Sequence, residues 1–218
     1  MPELPEVETV AHDLREQLAG RHFSGEVAIL WHRTLATPSP EELAEQVRGQ
    51  GVLDVGRRGK YVRISLESGA TLFVHLRMTG KLAVVPADSP ALTGTHVRAW
   101  LGLNEGDRLV FTDARKFGRI WLVADPATVT GKLGPEPLDW EFTPEVLGGQ
   151  LRKRRVAIKA LLLDQTALAG IGNIYADEAL YRAGIHPRRS SASLTDDEIV
   201  RLHAALRAVL LESIGKRG

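Results

Sequence analysis

The hydrophobic pattern of the chain changes period once, near its middle. Val7, Val10, Ala11, Leu14 and Leu18 recur at helical spacing and predict a helix over residues 5–18. Pro5 suits its first turn and Gly20 its stop. The period then shortens to β-type runs over 27–31, 52–55, 61–66, 71–76, 82–85, 96–103, 108–112 and 119–123, with one short helix at about 40–48. Turn signals separate these runs at 67–69, 86–90 and 104–107. Short strands at regular spacing predict a β-sandwich or barrel. Residues 131–144 (GKLGPEPLDWEFTP) carry three prolines and two glycines and read as a connector. Beyond it the period is helical, over 143–151, 157–164, 173–183 and 195–214; Thr195 followed by Glu198 is a capping-box signature. The expected fold class is α+β, with a β-rich domain at 1–130, a linker at 131–145 and an all-helical domain at 146–218.

Composition narrows the chemistry. The 218 residues include no cysteine, which excludes disulfides, thiol catalysis, iron–sulfur clusters and cysteine-ligated zinc from this chain. The seven histidines show no HxxxH spacing. No apolar run approaches the ~20 residues that span a bilayer, and the opening MPELPEVE is acidic where a signal peptide is basic. A soluble, cytoplasmic protein is expected, without a membrane partner, and nothing signals an oligomer, so a monomer is expected.

The net charge of +1 hides a segmentation: −6 over residues 1–55, +6 over 56–120, −4 over 121–151, +5 over 152–189 and zero beyond. Two basic blocks flanking an acidic one suggest two positive surfaces facing a common polyanion. Solvated strand and helix faces are the other reading of the same pattern.

Five segments carry candidate chemistry. The first is Pro2-Glu3-Leu-Pro-Glu6. Removal of Met1 is expected before a small residue, and it frees the secondary amine of Pro2. With an α-amino pKa near 8, about a quarter is unprotonated at pH 7.4, a few hundred-fold more than for lysine. Such an amine can attack a sugar carbon and form a Schiff base, with Glu3 placed to exchange a proton. The alternative is an acidic first helical turn favoured by the helix dipole. The second segment, Gly56-Arg-Arg-Gly-Lys60, reads as a β-turn presenting Lys60, to an anionic backbone or only to solvent. The third, His75-Leu-Arg-Met78-Thr-Gly80, places Met78 at a strand end, as an apolar wedge beside a base or as a core residue. In the fourth, Asp113-Ala-Arg115-Lys-Phe117-Gly, arginine and phenylalanine stand two apart, to fill a hole in a duplex together or to form a basic hairpin with one buried ring. The fifth, Gly170-Ile-Gly172-Asn173, opens a helix capped by Asn173, whose free amides attract phosphate; the run Arg152-Lys-Arg-Arg155 lies upstream.

PELPEVE at the start and GIGNIYADEAL near the end, in this order and spacing, resemble the bacterial formamidopyrimidine-DNA glycosylases, relatives of endonuclease VIII. PELPEVE and the joint presence of Met78, Arg115 and Phe117 favour the former. The resemblance runs from Pro2 to the end of the chain. It implies an N-terminal β-sandwich with flanking helices and a C-terminal helix-two-turn-helix domain. It also implies a bacterial, nucleoid-associated base-excision-repair enzyme acting on double-stranded DNA with oxidised bases or abasic sites. Pro2 resembles the nucleophile at C1′, Glu3 the acid/base at the sugar, and Glu6 its neighbour in the base pocket. Lys60 resembles the lysine contacting phosphate beside the lesion. Met78, Arg115 and Phe117 resemble the side chains filling the gap left by the extruded base, Arg115 pairing to the orphan base; Asn173, with Gly172, resembles the phosphate-binding residue. The implied substrates are oxidised purines, 8-oxoguanine or formamidopyrimidine opposite cytosine, followed by β,δ-elimination and needing no cofactor for the chemistry.

Two features depart from the family pattern. The family's lesion-capping loop and four-cysteine zinc hairpin are absent from this chain, which stops near where that loop begins; a structural zinc is expected in the family, and no metal site here. The fourth segment reads Ala-Arg-Lys-Phe-Gly, not Pro-Arg-Arg-Phe-Gly. A damaged-DNA binder with impaired catalysis, an endonuclease VIII-like enzyme for oxidised pyrimidines, and a module whose basic runs serve only solvation remain as alternatives.

Overall fold

Alternation along residues 61–66 (Tyr-Val-Arg-Ile-Ser-Leu) buries Val62, Ile64 and Leu66 and leaves their neighbours half-exposed, the signature of a strand with one face on a core. The computed structural model describes all residues, Met1–Gly218. The chain divides into two compact units, Met1–Pro2 with Val7–Gly131, and Glu3–Glu6 with Lys132–Gly218.

The first unit is a two-sheet sandwich. Strands β1 (Phe23–Ile29), β7 (Val97–Leu103), β8 (Arg108–Asp113) and β6 (Gly80–Val85) form one sheet in the order β1-β7-β8-β6. The second sheet is β2-β9-β5-β4-β3, from β2 (Leu35–Thr37), β9 (Arg119–Val123), β5 (Thr71–His75), β4 (Tyr61–Leu66) and β3 (Val52–Arg58). All pairings are antiparallel except β2 with β9. The core joins inward residues of both sheets, among them Ile64, Leu72, Val74, Leu101, Leu109 and Phe111, to Val7, Ala11, Leu14 and Leu18 of helix α1 (Leu4–Leu18). Helix α2 (Pro40–Val47) adds Leu43 and Val47; a Ser39–Glu42 capping box starts it. A one-turn helix α3 (Ala127–Thr130) follows β9.

The second unit holds α4 (Pro144–Arg152), α5 (Ile158–Leu163), α6 (Asn173–Ala183) and α7 (Asp196–Gly215) around a core that includes Leu4, Leu147, Leu161, Tyr175, Leu180, Leu202 and Leu206. Thr195 and Glu198 form the capping box of α7. The proline-rich stretch after residue 131 is fastened to this unit: Gly134 N–H donates to the Gln165 carbonyl, Ala169 N–H to the Pro135 carbonyl, and Arg207 to the carbonyls of Pro137 and Asp139.

Several element ends differ from the sequence reading. β1 begins four residues earlier than the apolar run suggests, β3 continues three residues further, and β2 and α3 carry no periodicity of their own. Phe111 fixes two turns at once. A Cβ on Gly118 would stand 2.2 Å from the Phe111 ring, and one on Gly80 would stand 2.9 Å from it. With Phe111 fully buried, the ring has nowhere to go, so Gly118→Ala is expected to destabilise the first unit by about 1–3 kcal/mol. Denaturant unfolding checks this; an unchanged midpoint would contradict the packing described.

Candidate active site

Sheet topology brings two of the candidate segments together. β5 leaves the five-stranded sheet and enters the other as β6 through residues 76–79; β8 makes the reverse crossing to β9 through residues 114–118. Because β5 pairs with β9 and β6 with β8, with His75 opposite Arg119 and Gly80 opposite Asp113, the two crossings run side by side. Met78 and Phe117 stand on them 41% and 49% exposed, which removes the core reading of Met78 and the buried-ring reading of Phe117. The Arg115 guanidinium carbon lies 5.0 Å from the Phe117 ring centre. Arg77 and Lys116 adopt left-handed backbone (φ 56° and 61°), unusual for side-chain-bearing residues and common at functional turns. Met1, Arg77, Met78, Phe117 and Arg119 line one open pocket of about 390 Å³. The chain's amino-terminal residue therefore lies beside both crossings.

Lys60 is not a solvated hairpin tip. It occupies the Gly59–Lys60 turn between β3 and β4 and is only 6% exposed. Arg57 holds this turn, donating to the Gly59 carbonyl (3.0 Å) and to Glu8 Oε2 (3.0 Å). His75, a residue the sequence reading left without a role, sits beside Lys60 and Arg77. Burial, then the charges of Arg77 and Lys60, push its pKa down to about 3. Its Nδ1 accepts the Arg77 N–H (3.0 Å), which assigns the neutral ring's proton to Nε2. Lys60, Arg77 and a neutral imidazole thus make a cationic corner rich in donors.

The remaining candidates converge within the second unit. Glu3, 3% exposed, aims its carboxylate at the start of α6, where Oε1 accepts Ile174 N–H (3.2 Å) and Oε2 more weakly accepts Tyr175 N–H (3.5 Å). Gly172, not Asn173, is the N-cap of α6, and it makes no side-chain cap bond. The expected cap by Asn173 is thereby corrected: a carboxylate 171 residues away takes the place of the local side chain. A Cβ on Gly172 would fall 2.2 Å from Glu3 Cδ, so the glycine there admits Glu3. Two of the α6 amides expected to be free for phosphate are taken; Asn173 itself is exposed. Glu6 Oε2 accepts Glu3 N–H (2.8 Å), and Glu6 Oε1 accepts the Tyr175 hydroxyl (2.7 Å), which in turn accepts from Ser213 Oγ (2.6 Å). Burial, with Glu6 and Glu3 adding to it, holds the Tyr175 phenol protonated far above its usual range, so it is a fixed donor. Tyr175 appears in the α6 motif, but nothing local in the sequence marks it as the partner of Glu6.

The zinc that the resemblance attaches to four cysteines finds no donors here. The chain has no cysteine, and no group of three or more His, Asp or Glu side chains is placed to hold a metal.

The His75 environment predicts a pH dependence. Unfolded, the ring protonates near 6.5; folded, only near 3, so between those values the unfolded chain binds the extra proton and stability falls as pH falls. His75→Gln removes this contribution, so its loss of stability between pH 7 and pH 5 should be smaller than the unaltered protein's by up to about 2 kcal/mol. Urea unfolding at the two pH values measures it; equal losses would contradict a neutral buried ring.

Comparison with known proteins identifies the family. Residues 1–120 match the formamidopyrimidine-DNA glycosylase N-terminal domain, and residues 133–218 the formamidopyrimidine-DNA glycosylase H2TH domain. The chain is 49% identical to the formamidopyrimidine-DNA glycosylase of Chloroflexus aggregans over 220 residues, covering all of this chain and 79% of the relative. It is also 49% identical to that of Pelotomaculum thermopropionicum, with the same coverage. Among solved structures, Lactococcus lactis formamidopyrimidine-DNA glycosylase bound non-covalently to DNA containing an abasic site superposes with a TM-score of 0.90 at 33% identity, over 99% of this chain and 83% of that one. The wild-type Lactococcus enzyme in complex with DNA containing N7-benzyl-Fapy-dG gives 0.89 at 34% identity, over 98% and 79%. Sequence and fold thus lead to one conclusion: this chain belongs to the formamidopyrimidine-DNA glycosylase family of base-excision-repair enzymes.

Proposed function

We propose that the chain excises oxidised purines, 8-oxoguanine and formamidopyrimidine opposite cytosine, from double-stranded DNA, and cleaves the strand through a Schiff base on Pro2. The observation that carries this reading is the pocket in which Met1 meets Met78 and Phe117. With Met1 present the Pro2 nitrogen is an amide; its removal leaves a secondary amine beside the two side chains suited to fill an emptied base position.

The chemistry follows from the residues. The damaged nucleotide leaves the stack at a cost of a few kcal/mol, because C1′ is out of reach inside the duplex. Met78 and Phe117 enter the gap as apolar wedges, and Arg115 offers its guanidinium to the orphan base. The Pro2 lone pair forms a bond to C1′ as the glycosidic bond breaks and the base departs with the bonding electrons as its anion, which solvent protonates. The Glu3 carboxylate takes the proton that the attacking nitrogen now carries and returns it to the ring oxygen as the sugar opens, giving an iminium at C1′. Loss of a C2′ proton then expels the 3′ phosphate, and a second elimination expels the 5′ phosphate. Glu6, fixed by Tyr175, faces the base, while Lys60 and Asn173 hold flanking phosphates.

Borohydride should trap a covalent adduct between the Met1-processed protein and a duplex carrying 8-oxoguanine opposite cytosine. Pro2→Gly should weaken this adduct severely, and Glu3→Gln should slow its formation by about 10²–10⁴-fold. A full-strength adduct with a blocked N-terminus, cleavage confined to oxidised pyrimidines, or lesion-duplex affinity independent of salt would overturn the proposal.

A further inference from the structure

Asp113 closes β8 and is 1% exposed. It lies on the route between the two crossings, and its carboxylate accepts from both. Oδ1 takes the Thr79 hydroxyl, one residue after Met78, and the Arg115 N–H (3.1 Å). Oδ2 takes the Phe117 N–H (2.7 Å) and the Gly118 N–H (2.8 Å). The Thr79 hydroxyl also accepts the Arg115 N–H (3.2 Å), so the two turns share a donor as well as an acceptor. From behind, Arg98 Nε donates to the Asp113 carbonyl (2.7 Å), and Asp113 N–H donates to the His96 carbonyl (2.9 Å). Burial raises the carboxyl pKa, but the Thr79 hydroxyl and the amides of Gly118, Arg115 and Phe117 outweigh it, so the group stays ionised. Lys116 completes the mount, with its ammonium 4.2 Å from the centre of the Trp31 ring.

Met78, Arg115 and Phe117 therefore do not ride on independent loops. We propose that Asp113 is the positioning residue that couples the two crossings into one rigid wedge, and that discrimination of the base opposite the lesion depends on this coupling. The inference rests on the reading of this chain as a lesion-excising enzyme. The physical ground is preorganisation: a wedge already in its inserted geometry loses less freedom on entering the duplex, and an arginine held in register can select one orphan-base edge over another.

Asp113→Asn separates this role from bulk packing. Each carboxylate oxygen accepts two hydrogen bonds, whereas a carboxamide offers one oxygen and one NH₂. With its NH₂ at the Oδ2 position the amide faces the N–H groups of Phe117 and Gly118; with its NH₂ at the Oδ1 position it faces the Arg115 N–H, and the Thr79 hydroxyl must turn round to accept. Affinity for a duplex with a reduced abasic site opposite cytosine should fall about ten- to hundredfold, and the preference for cytosine over adenine opposite the site should shrink toward unity. The borohydride adduct with a single-stranded abasic oligonucleotide, which presents no gap to fill, should keep its wild-type yield. Thr79→Val, which removes one link and keeps the shape, should show the same pattern in smaller measure, and it carries the comparison if Asp113→Asn fails to fold.

Unchanged affinity and opposite-base preference in either folded variant would overturn the coupling, as would an equal loss of adduct on single-stranded DNA. An unaltered protein that binds but forms no adduct counts against the lyase reading; the affinity comparison, which needs no chemistry, still decides the role of Asp113.

Discussion

A carboxylate from residue 3 at the first amides of a helix that begins at residue 173 is the interaction on which the candidate site depends. A helix start leaves its amides without internal partners and carries partial positive charge, so a buried anion there is stabilised on both counts. The usual solution is a local side chain. Here the sequence puts glycine at the cap, and the vacancy admits Glu3. Leu4 N–H on the Gly170 carbonyl and Glu3 N–H on Glu6 add further bonds over the same few residues. Conformational freedom at a chain terminus is normally large. These bonds remove it and fix the backbone one peptide bond from the Pro2 nitrogen.

The sandwich solves a different problem. On the proposed function Met78 and Phe117 must stand exposed before DNA arrives, and on a soft loop such apolar side chains would collapse onto the protein. The two sheet crossings avoid this by main-chain constraint. Each is short, each begins or ends at a fixed register pair, and Phe111 fills the space left by glycines at both. The backbone is spoken for and the side chains of Met78 and Phe117 are left outward. The left-handed residues Arg77 and Lys116 are the local expense of that geometry.

How much of this the sequence reveals depends on the range of the interaction. β4, β9 and α6 coincide with the residues their periodicity predicts, because alternation, turn residues and a closing Gly184 are local signals. β2 is three residues long and exists through its parallel pairing with β9, so no pattern within it announces a strand. The motif around Asn173 was readable as a helix start, but its cap was not, since the partner lies at the other end of the chain. Lys60 was visible as a turn lysine; its burial comes from the Arg57 clamp and the neighbouring sheet. Asp113 lay in plain view inside the fourth segment, yet only the side-by-side crossings show why a carboxylate is needed there.

On the proposed function, the nitrogen that bonds to the sugar is that of Pro2. Digestion of the borohydride-trapped complex followed by mass spectrometry of the modified peptide tests it most directly. The deoxyribose remnant is expected on the amino-terminal peptide, on Pro2, with Met1 gone. A remnant on Lys60 or any other lysine, with the amino terminus unmodified, would contradict it.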